Sequence, residues 1–200
     1  MKLTFDKLHK VFFTSDTHAF HNNIVRGTSV WADKTGLRDF DTPIEMTMAM
    51  AQNFNEVIPE DGILFHTGDL SFAGEQNIAV FRNMLRVKEM HIITGNHDQH
   101  IEKGKWDHLF TSRQKYLELE IGSLGFCLFH FKISSWNNIR KGWYQLHGHH
   151  HWKGDLRFGN GRQMDVGVDG NDLKPYKLVD IIDMLQDRKF IDANANDHHA

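Results

Sequence analysis

The chain has 200 residues, 40% of them hydrophobic and 24% charged, with a formal net charge of −3 at pH 7, which is the balance of an ordinary globular protein with one well-buried domain. No global basic field points to nucleic acid, no apolar run approaches the ~20 residues of a membrane span, and Met1-Lys2-Leu3-Thr4-Phe5-Asp6-Lys7 lacks the apolar centre of a signal peptide. The single cysteine, Cys127, can close no internal disulfide, so a cytoplasmic location is expected.

Val11-Phe12-Phe13-Thr14-Ser15 predicts a short buried strand that ends at Asp16-Thr17-His18. His21, Asn22 and Asn23 lie just beyond, the two asparagines as expected caps of a short helix. Residues 28–41 mix Gly, Asp, Lys and Arg with Trp31 and Phe40 and read as a long surface loop. Arg38 in that loop, and Arg26 just before it, are candidates to reach a phosphate. Thr42-Pro43-Ile44-Glu45 is a helix start, with a capping threonine, a proline at the first helical position and a glutamate that completes a capping box. That helix should run to about Val57, stopped by Pro59, with Met46, Met48 and Met50 as packing residues.

Ile63-Leu64-Phe65-His66-Thr67 is the second predicted strand and ends at Gly68-Asp69. Residues 74–87 carry Ile78, Phe81 and Leu85 at helical spacing. Met90-His91-Ile92-Ile93-Thr94 is a third strand and opens into Gly95-Asn96-His97-Asp98. Residues 116–121 alternate apolar and polar; a turn over residues 122–125 leads to Phe126-Cys127-Leu128-Phe129, giving a hairpin that ends at His130.

Beyond His130, Lys132, Trp136, Asn137, Asn138, Arg140, Lys141 and Trp143 interleave aromatic with basic or amide groups, either a surface that stacks a base or a packed loop. Tyr144-Gln145-Leu146-His147 leads to Gly148-His149-His150-His151. Residues 163–168 form a last strand and 178–185 a closing helix. Residues 1–191 are read as a single domain and 192–200 as a frayed polar tail. Strand and helix alternate early and the chain then becomes strand-rich, which predicts an α/β fold with two packed sheets. His66 is placed in the core or behind the site, His91 as structural, and Cys127 as a buried small residue.

Histidine is the outlier of the composition, with 15 copies. Five strand ends supply Asp16 and His18, Asp69, Asn96 and His97, His130, and His149 and His151. Each alone has a bland reading, a turn former or a half-buried imidazole. Their joint occurrence, always after an apolar strand, points to a metal site. No cysteine takes part, which excludes a structural zinc site of the cysteine-rich kind. Imidazole, carboxylate and amide oxygen together suit Mn²⁺, Fe²⁺, Ni²⁺ or Zn²⁺ better than Ca²⁺. So many candidate ligands exceed one tetrahedral site and suit two ions ~3.5–4 Å apart with one shared carboxylate.

This order of motifs, Asp-x-His, Gly-Asp, Gly-Asn-His-Asp, a lone His and Gly-His-x-His, resembles the calcineurin-like metallophosphoesterases. It is matched from Asp16 to His151, about two thirds of the chain. The resemblance implies a two-sheet β-sandwich flanked by helices, in four layers. It also implies two divalent ions, with Mn²⁺ the first expectation and Fe, Ni, Zn or Mg as alternatives. Asp16, His18 and His151 would bind the first ion and Asn96, His130 and His149 the second, with Asp69 bridging both. His97 would face the phosphate and protonate the leaving oxygen, and Asp98 would orient that imidazole.

The implied reaction is attack of a metal-activated hydroxide on phosphorus. Where the phosphoprotein phosphatases of this superfamily carry Asp-Arg-Gly after the Gly-Asp step, this chain reads Leu70-Ser71-Phe72-Ala73-Gly74, which argues against a phosphoprotein substrate. The Asp16 to Ile24 segment, Trp152, and Val166-Gly167-Val168-Asp169 look more like the small prokaryotic and phage phosphoesterases. A phosphodiester of nucleotide type, in a nucleotide or a nucleic acid, is the expected substrate, with His21, Arg26 and Trp136 as candidate contacts. A phosphomonoesterase is the alternative. A non-catalytic protein-binding scaffold is the remote one, since no ligand is missing.

Overall fold

The computed structural model describes residues 1–157 and 159–191, so the expectation for the 192–200 tail lies outside the described residues. In chain order these form β1 (Lys2–Leu3), β2 (Val11–Thr14), α1 (Pro43–Val57), β3 (Ile63–His66), α2 (Gln76–Met84), β4 (Glu89–Ile93), the single-turn α3 (Gln99–Glu102), β5 (Ser112–Gln114), β6 (Tyr116–Ile121), β7 (Leu124–Phe129), β8 (Tyr144–His147), β9 (Gln163–Asp165), β10 (Tyr176–Lys177) and α4 (Leu178–Leu185). Among the described residues, no helix is long and apolar enough to cross a membrane.

One sheet has the order β10-β2-β3-β4-β5, the other β1-β6-β7-β8-β9. In the first, β2 to β5 run parallel and β10 joins antiparallel to β2. Parallel neighbours need a long crossover, and α1 and α2 supply the first two. The register sets Phe12 beside Leu64 and Leu64 beside Met90, and one step on Phe13 beside Phe65 and Phe65 beside His91. Side chains alternate across a strand, so these rows face opposite sides. Phe12, Leu64, Met90 and Ile92 join Met46, Met50 and Phe54 of α1 and Ile78 and Phe81 of α2 in one core. Val11, Phe13, Ile63, Phe65 and Ile93 join Leu117, Leu119, Ile121, Phe126, Leu128 and Leu146 of the other sheet, with Leu178, Ile181 and Leu185 of α4. Every residue of β2 and β3 is buried because both faces of this sheet are covered. The expected architecture, two packed sheets with flanking helices, is what forms.

Helix α1 begins as predicted. The Glu45 amide donates to Thr42 Oγ1 at 3.2 Å and the Thr42 amide to Glu45 Oε2 at 3.1 Å. Met46 and Met50 are fully buried, but Met48 is 59% exposed and is not a packing residue. Helix α2 is shorter than the predicted 74–87, because Gly74 takes φ +115° and Leu85 is already extended. The β6–β7 turn is also tighter than expected. Leu124 and Gly125 pair with Ile121 and Glu120, leaving Gly122 and Ser123 as the loop. The last predicted strand stops at Asp165, and Gly167 instead bridges to Ser15 of the parallel layer. Asn22 and Asn23 do not cap a helix. They lie within a short helical turn, Asn22–Ile24, whose cap is His21, its Nδ1 accepting from the Ile24 amide at 3.0 Å.

Candidate metal centre

The five predicted strand ends meet at one edge, where the carboxyl ends of β2, β3 and β4 face those of β7 and β8. The chain turns sharply there. Asp16, His18, Asp69, His149 and His151 have φ of 54°, 45°, 60°, 75° and 50°. This left-handed region is sparsely used by residues with a Cβ, although Asp and His tolerate it best. Such strain persists where the surrounding structure enforces it, typically at functional sites. Glycine is required at two neighbouring positions for close approach. A Cβ on Gly95 would lie 2.3 Å from Asp69 Oδ1, and one on Gly148 would lie 2.2 Å from Asp16 Oδ2.

Two sets of potential ligands result, Asp16 with His18 and His151, and Asp69 with His130 and His149, the atoms of each within 4.8 Å of one another. Asn96 joins the second set, its Oδ1 2.9 Å from His130 Nε2 and 3.1 Å from His149 Nδ1. Asp69 faces both sets, with Oδ2 3.6 Å from His18 Nε2 and 3.4 Å from His130 Nε2. All seven predicted ligands are thus brought together.

The polar atoms here are poorly satisfied without a cation. Asp16 Oδ1 and both ring nitrogens of His18 are buried with no hydrogen-bond partner, which is costly for buried polar groups. His130 Nδ1 lies 2.8 Å from the Thr67 carbonyl, which can only accept. The proton is therefore on Nδ1, and Nε2 turns a lone pair toward Asn96 Oδ1, acceptor against acceptor. His151 donates from Nδ1 to Asp169 Oδ2 at 2.8 Å, leaving its Nε2 likewise free to ligate. Carbonyl or carboxylate support of the distal ring nitrogen is the usual arrangement for metal-binding histidines. Ligands at about 2.0–2.2 Å from one ion sit roughly 3–3.5 Å apart, close to the spacings around Asp69. The residues fit divalent cations.

Electrostatics agree. Burial pushes His18 down to about 3, so the imidazole is neutral and ready to ligate. Burial alone would raise Asp16, but the facing His18 and His151 outweigh it and hold the carboxyl below its usual range. His151 rises despite burial because Asp169 accepts its proton.

Behind the ligands lies a support that the sequence did not reveal. Arg38 is buried and forks onto Asp169, Nε to Oδ1 and Nη2 to Oδ2 both at 2.9 Å. It also donates to the carbonyls of Thr17 and Asp16, both at 2.6 Å. Arg38 therefore does not contact phosphate; it holds the β2 turn and, through Asp169, His151. His66 is a second prop. Its Nδ1 accepts from the Gly68 amide at 3.2 Å, its Nε2 donates to Thr17 Oγ1 at 2.9 Å, and that hydroxyl donates to the Leu70 carbonyl at 2.7 Å.

Asp98 departs from its expected role. Its carboxylate accepts from the amides of Asp69 (2.7 Å), Gly95 (2.9 Å) and Leu70 (3.0 Å), so it fixes the Asp69 turn and does not orient the His97 ring. His97 is exposed, its ring 5.7 Å from that of His18 and 4.9 Å from Phe72, while its amide donates to Asp69 Oδ1 at 2.9 Å.

Of the three expected substrate contacts, only His21 is at the rim, its ring 5.7 Å from His18 and edge-on to Phe72 at 4.0 Å. Arg26 pairs with Asp39 on the exposed surface. Trp136 is buried, its indole N–H given to the Trp143 carbonyl at 3.0 Å, so it offers no stacking face, while most of the loop around it is exposed. The aromatic rings at the centre are others. Phe72 stacks on His18 at 4.9 Å, and the half-exposed Phe131 lies 4.8 Å from His149 and 4.9 Å from His130. Their only signal in the sequence is proximity to a ligand, Phe72 three residues after Asp69 and Phe131 next to His130.

No protein-family model matches the chain. It is similar to an uncharacterised protein of Methanocaldococcus jannaschii, MJ1445, with 27% identity over 190 residues, 92% of this chain and 96% of that one. Among solved structures, a protein of unknown function from Aquifex aeolicus, AQ665, superposes with a TM-score of 0.63 and 19% identity over 88% of this chain and 98% of that one. That likeness shows the fold. A conserved uncharacterised protein of Streptococcus pneumoniae TIGR4, described as a predicted phosphoesterase, reaches a TM-score of only 0.35 with 14% identity over 78% of this chain and 70% of that one, too loose to carry an argument.

Proposed function

We propose that the chain is a dinuclear metal-dependent phosphoesterase of the calcineurin-like type, acting on a phosphodiester of nucleotide kind. The observation that carries this reading is the position of Asp69 Oδ2, between His18 Nε2 at 3.6 Å and His130 Nε2 at 3.4 Å, where one carboxylate can serve two ions. When bound, two divalent cations would acidify a water and neutralise phosphate oxygens.

The chain's own groups do the rest. Asp16, His18 and His151 hold one side, and Asn96, His130 and His149 the other. Arg38 with Asp169, and Asp98 with three amides, keep these groups from reorienting, so that the charge is placed before substrate arrives. His97 stands exposed at the mouth, where a proton can pass to a leaving oxygen. Phe72 and Phe131, one against each set, give flat faces suited to a nucleobase. A cavity of about 280 Å³ lined by Asn96, Gln99, Lys115, Phe129 and Phe131 opens beside the second set. Mn²⁺ suits the mixed nitrogen and oxygen donors.

The test is hydrolysis of bis-p-nitrophenyl phosphate by Mn²⁺-loaded protein. His97→Ala should lower turnover by about 100-fold or more with metal content unchanged. Absence of turnover with every divalent ion tried would overturn the reading. A panel of cyclic nucleotides, dinucleotides, single-stranded nucleic acid and monoesters then tests the substrate, and a preference for monoesters would replace the diester assignment.

A further inference from the structure

We propose that His147, His150 and Asp165 form a third divalent-cation site beside the pair. Their ligand atoms lie within 4.8 Å of one another. His147 ends β8 and Asp165 ends β9, and the two are direct partners in the parallel ladder, so the sheet itself sets their separation. Both are fully buried, while His150 is exposed and gives the site an opening to solvent.

Two details of the geometry favour a cation. His147 Nδ1 and His150 Nδ1 each lie 3.1 Å from the same atom, the Gly148 carbonyl oxygen. A carbonyl only accepts, so both rings carry their proton on Nδ1 and both Nε2 atoms present lone pairs. His130 and His151 show the same support from the distal nitrogen in the pair described above. Second, Asp165 spends Oδ1 on the Gly167 amide at 2.7 Å, but its Oδ2 is buried without a hydrogen-bond partner.

Two imidazoles, one carboxylate and a solvent-facing position form a donor set for Zn²⁺, Co²⁺ or Ni²⁺, and too few oxygens for Ca²⁺ or Mg²⁺. A cation here would neutralise Asp165. It would also clamp the Gly148 turn from both sides and so fix His149 and His151, the ligands that turn carries.

The site does not depend on reading the pair as catalytic, and the experiment separates the two. The full chain is stripped with a chelator, loaded with excess Co²⁺ and desalted, and bound cobalt is counted per chain. The parent is expected to hold one more ion than His150→Ala, and Asp165→Asn should lose that same ion. Equal counts in the parent and His150→Ala would overturn the proposal. So would a crystal of the Zn²⁺-loaded protein with no anomalous peak among the three side chains. Asp69→Asn tests the pair separately. If it leaves the count unchanged while His150→Ala lowers it, the pair fails and the third site stands.

Discussion

Arg38 reaches from the loop before α1 into the turn after β2 and meets an acid 131 positions further along the chain. Its guanidinium satisfies two carbonyls and a carboxylate at once, which the planar fork of arginine allows and a lysine does not. Arg38→Met should leave Asp169 buried without its partner, at a cost of about 3–5 kcal/mol, read as a lower unfolding free energy in urea. If His151 ligates as proposed, it should, no longer held, let a bound ion go more readily under dialysis, and Arg38→Lys should restore neither property in full. None of this was legible from the sequence, because a loop arginine reads as a solvated group or a phosphate contact and its partner is remote. Asp98 misled for the opposite reason. An acid next to a histidine suggests a local pair, yet its carboxylate turns inward to three amides. That the seven candidate ligands converge was legible because a metal site restricts the residue types and the strand ends restrict their places.

At the scale of elements, the strongest local signals decided which segments could be read in advance. Thr42, Pro43 and Glu45 announce α1, and the capping bonds form as drawn. Thr42→Ala should cost about 1 kcal/mol and lower the melting temperature by about 2–4 °C, whereas Thr42→Ser should melt close to the parent in the same thermal scan. Buried strands β2, β3 and β4 were legible as compact apolar runs. Strands β1, β5 and β10 were not, since two or three residues carry no period and pair only because a neighbouring strand presents an edge. The β6–β7 loop was read two residues too long because Gly125 reads as a turn residue. Its missing Cβ instead makes room for the Trp143 ring, which a side chain there would strike at 2.0 Å.

For the molecule as a whole, stability should fall on the acid side through imidazoles folded in neutral form. Burial pushes His66 down to about 3 from an ordinary value of 6.5. The unfolded chain therefore binds the extra proton between these values, so this contribution is complete above about pH 6.5 and is lost as pH falls toward 3. The slope is roughly 1.4 kcal/mol per pH unit. Between pH 7 and pH 5 the parent should lose roughly 2 kcal/mol more unfolding free energy than His66→Gln; equal losses in urea titrations at the two values would contradict the assignment.

Asp16, His18 and Asp69 project from the parallel layer, and His130, His149 and His151 from the mixed one. Each of these two ligand sets therefore spans the seam between the layers. A folding intermediate in which only one layer has consolidated has no complete pocket, and a filled pocket opposes any sliding of one layer over the other. The cations would then act as rivets, seated last, making the closed sandwich hardest to pull apart where it is chemically most exposed.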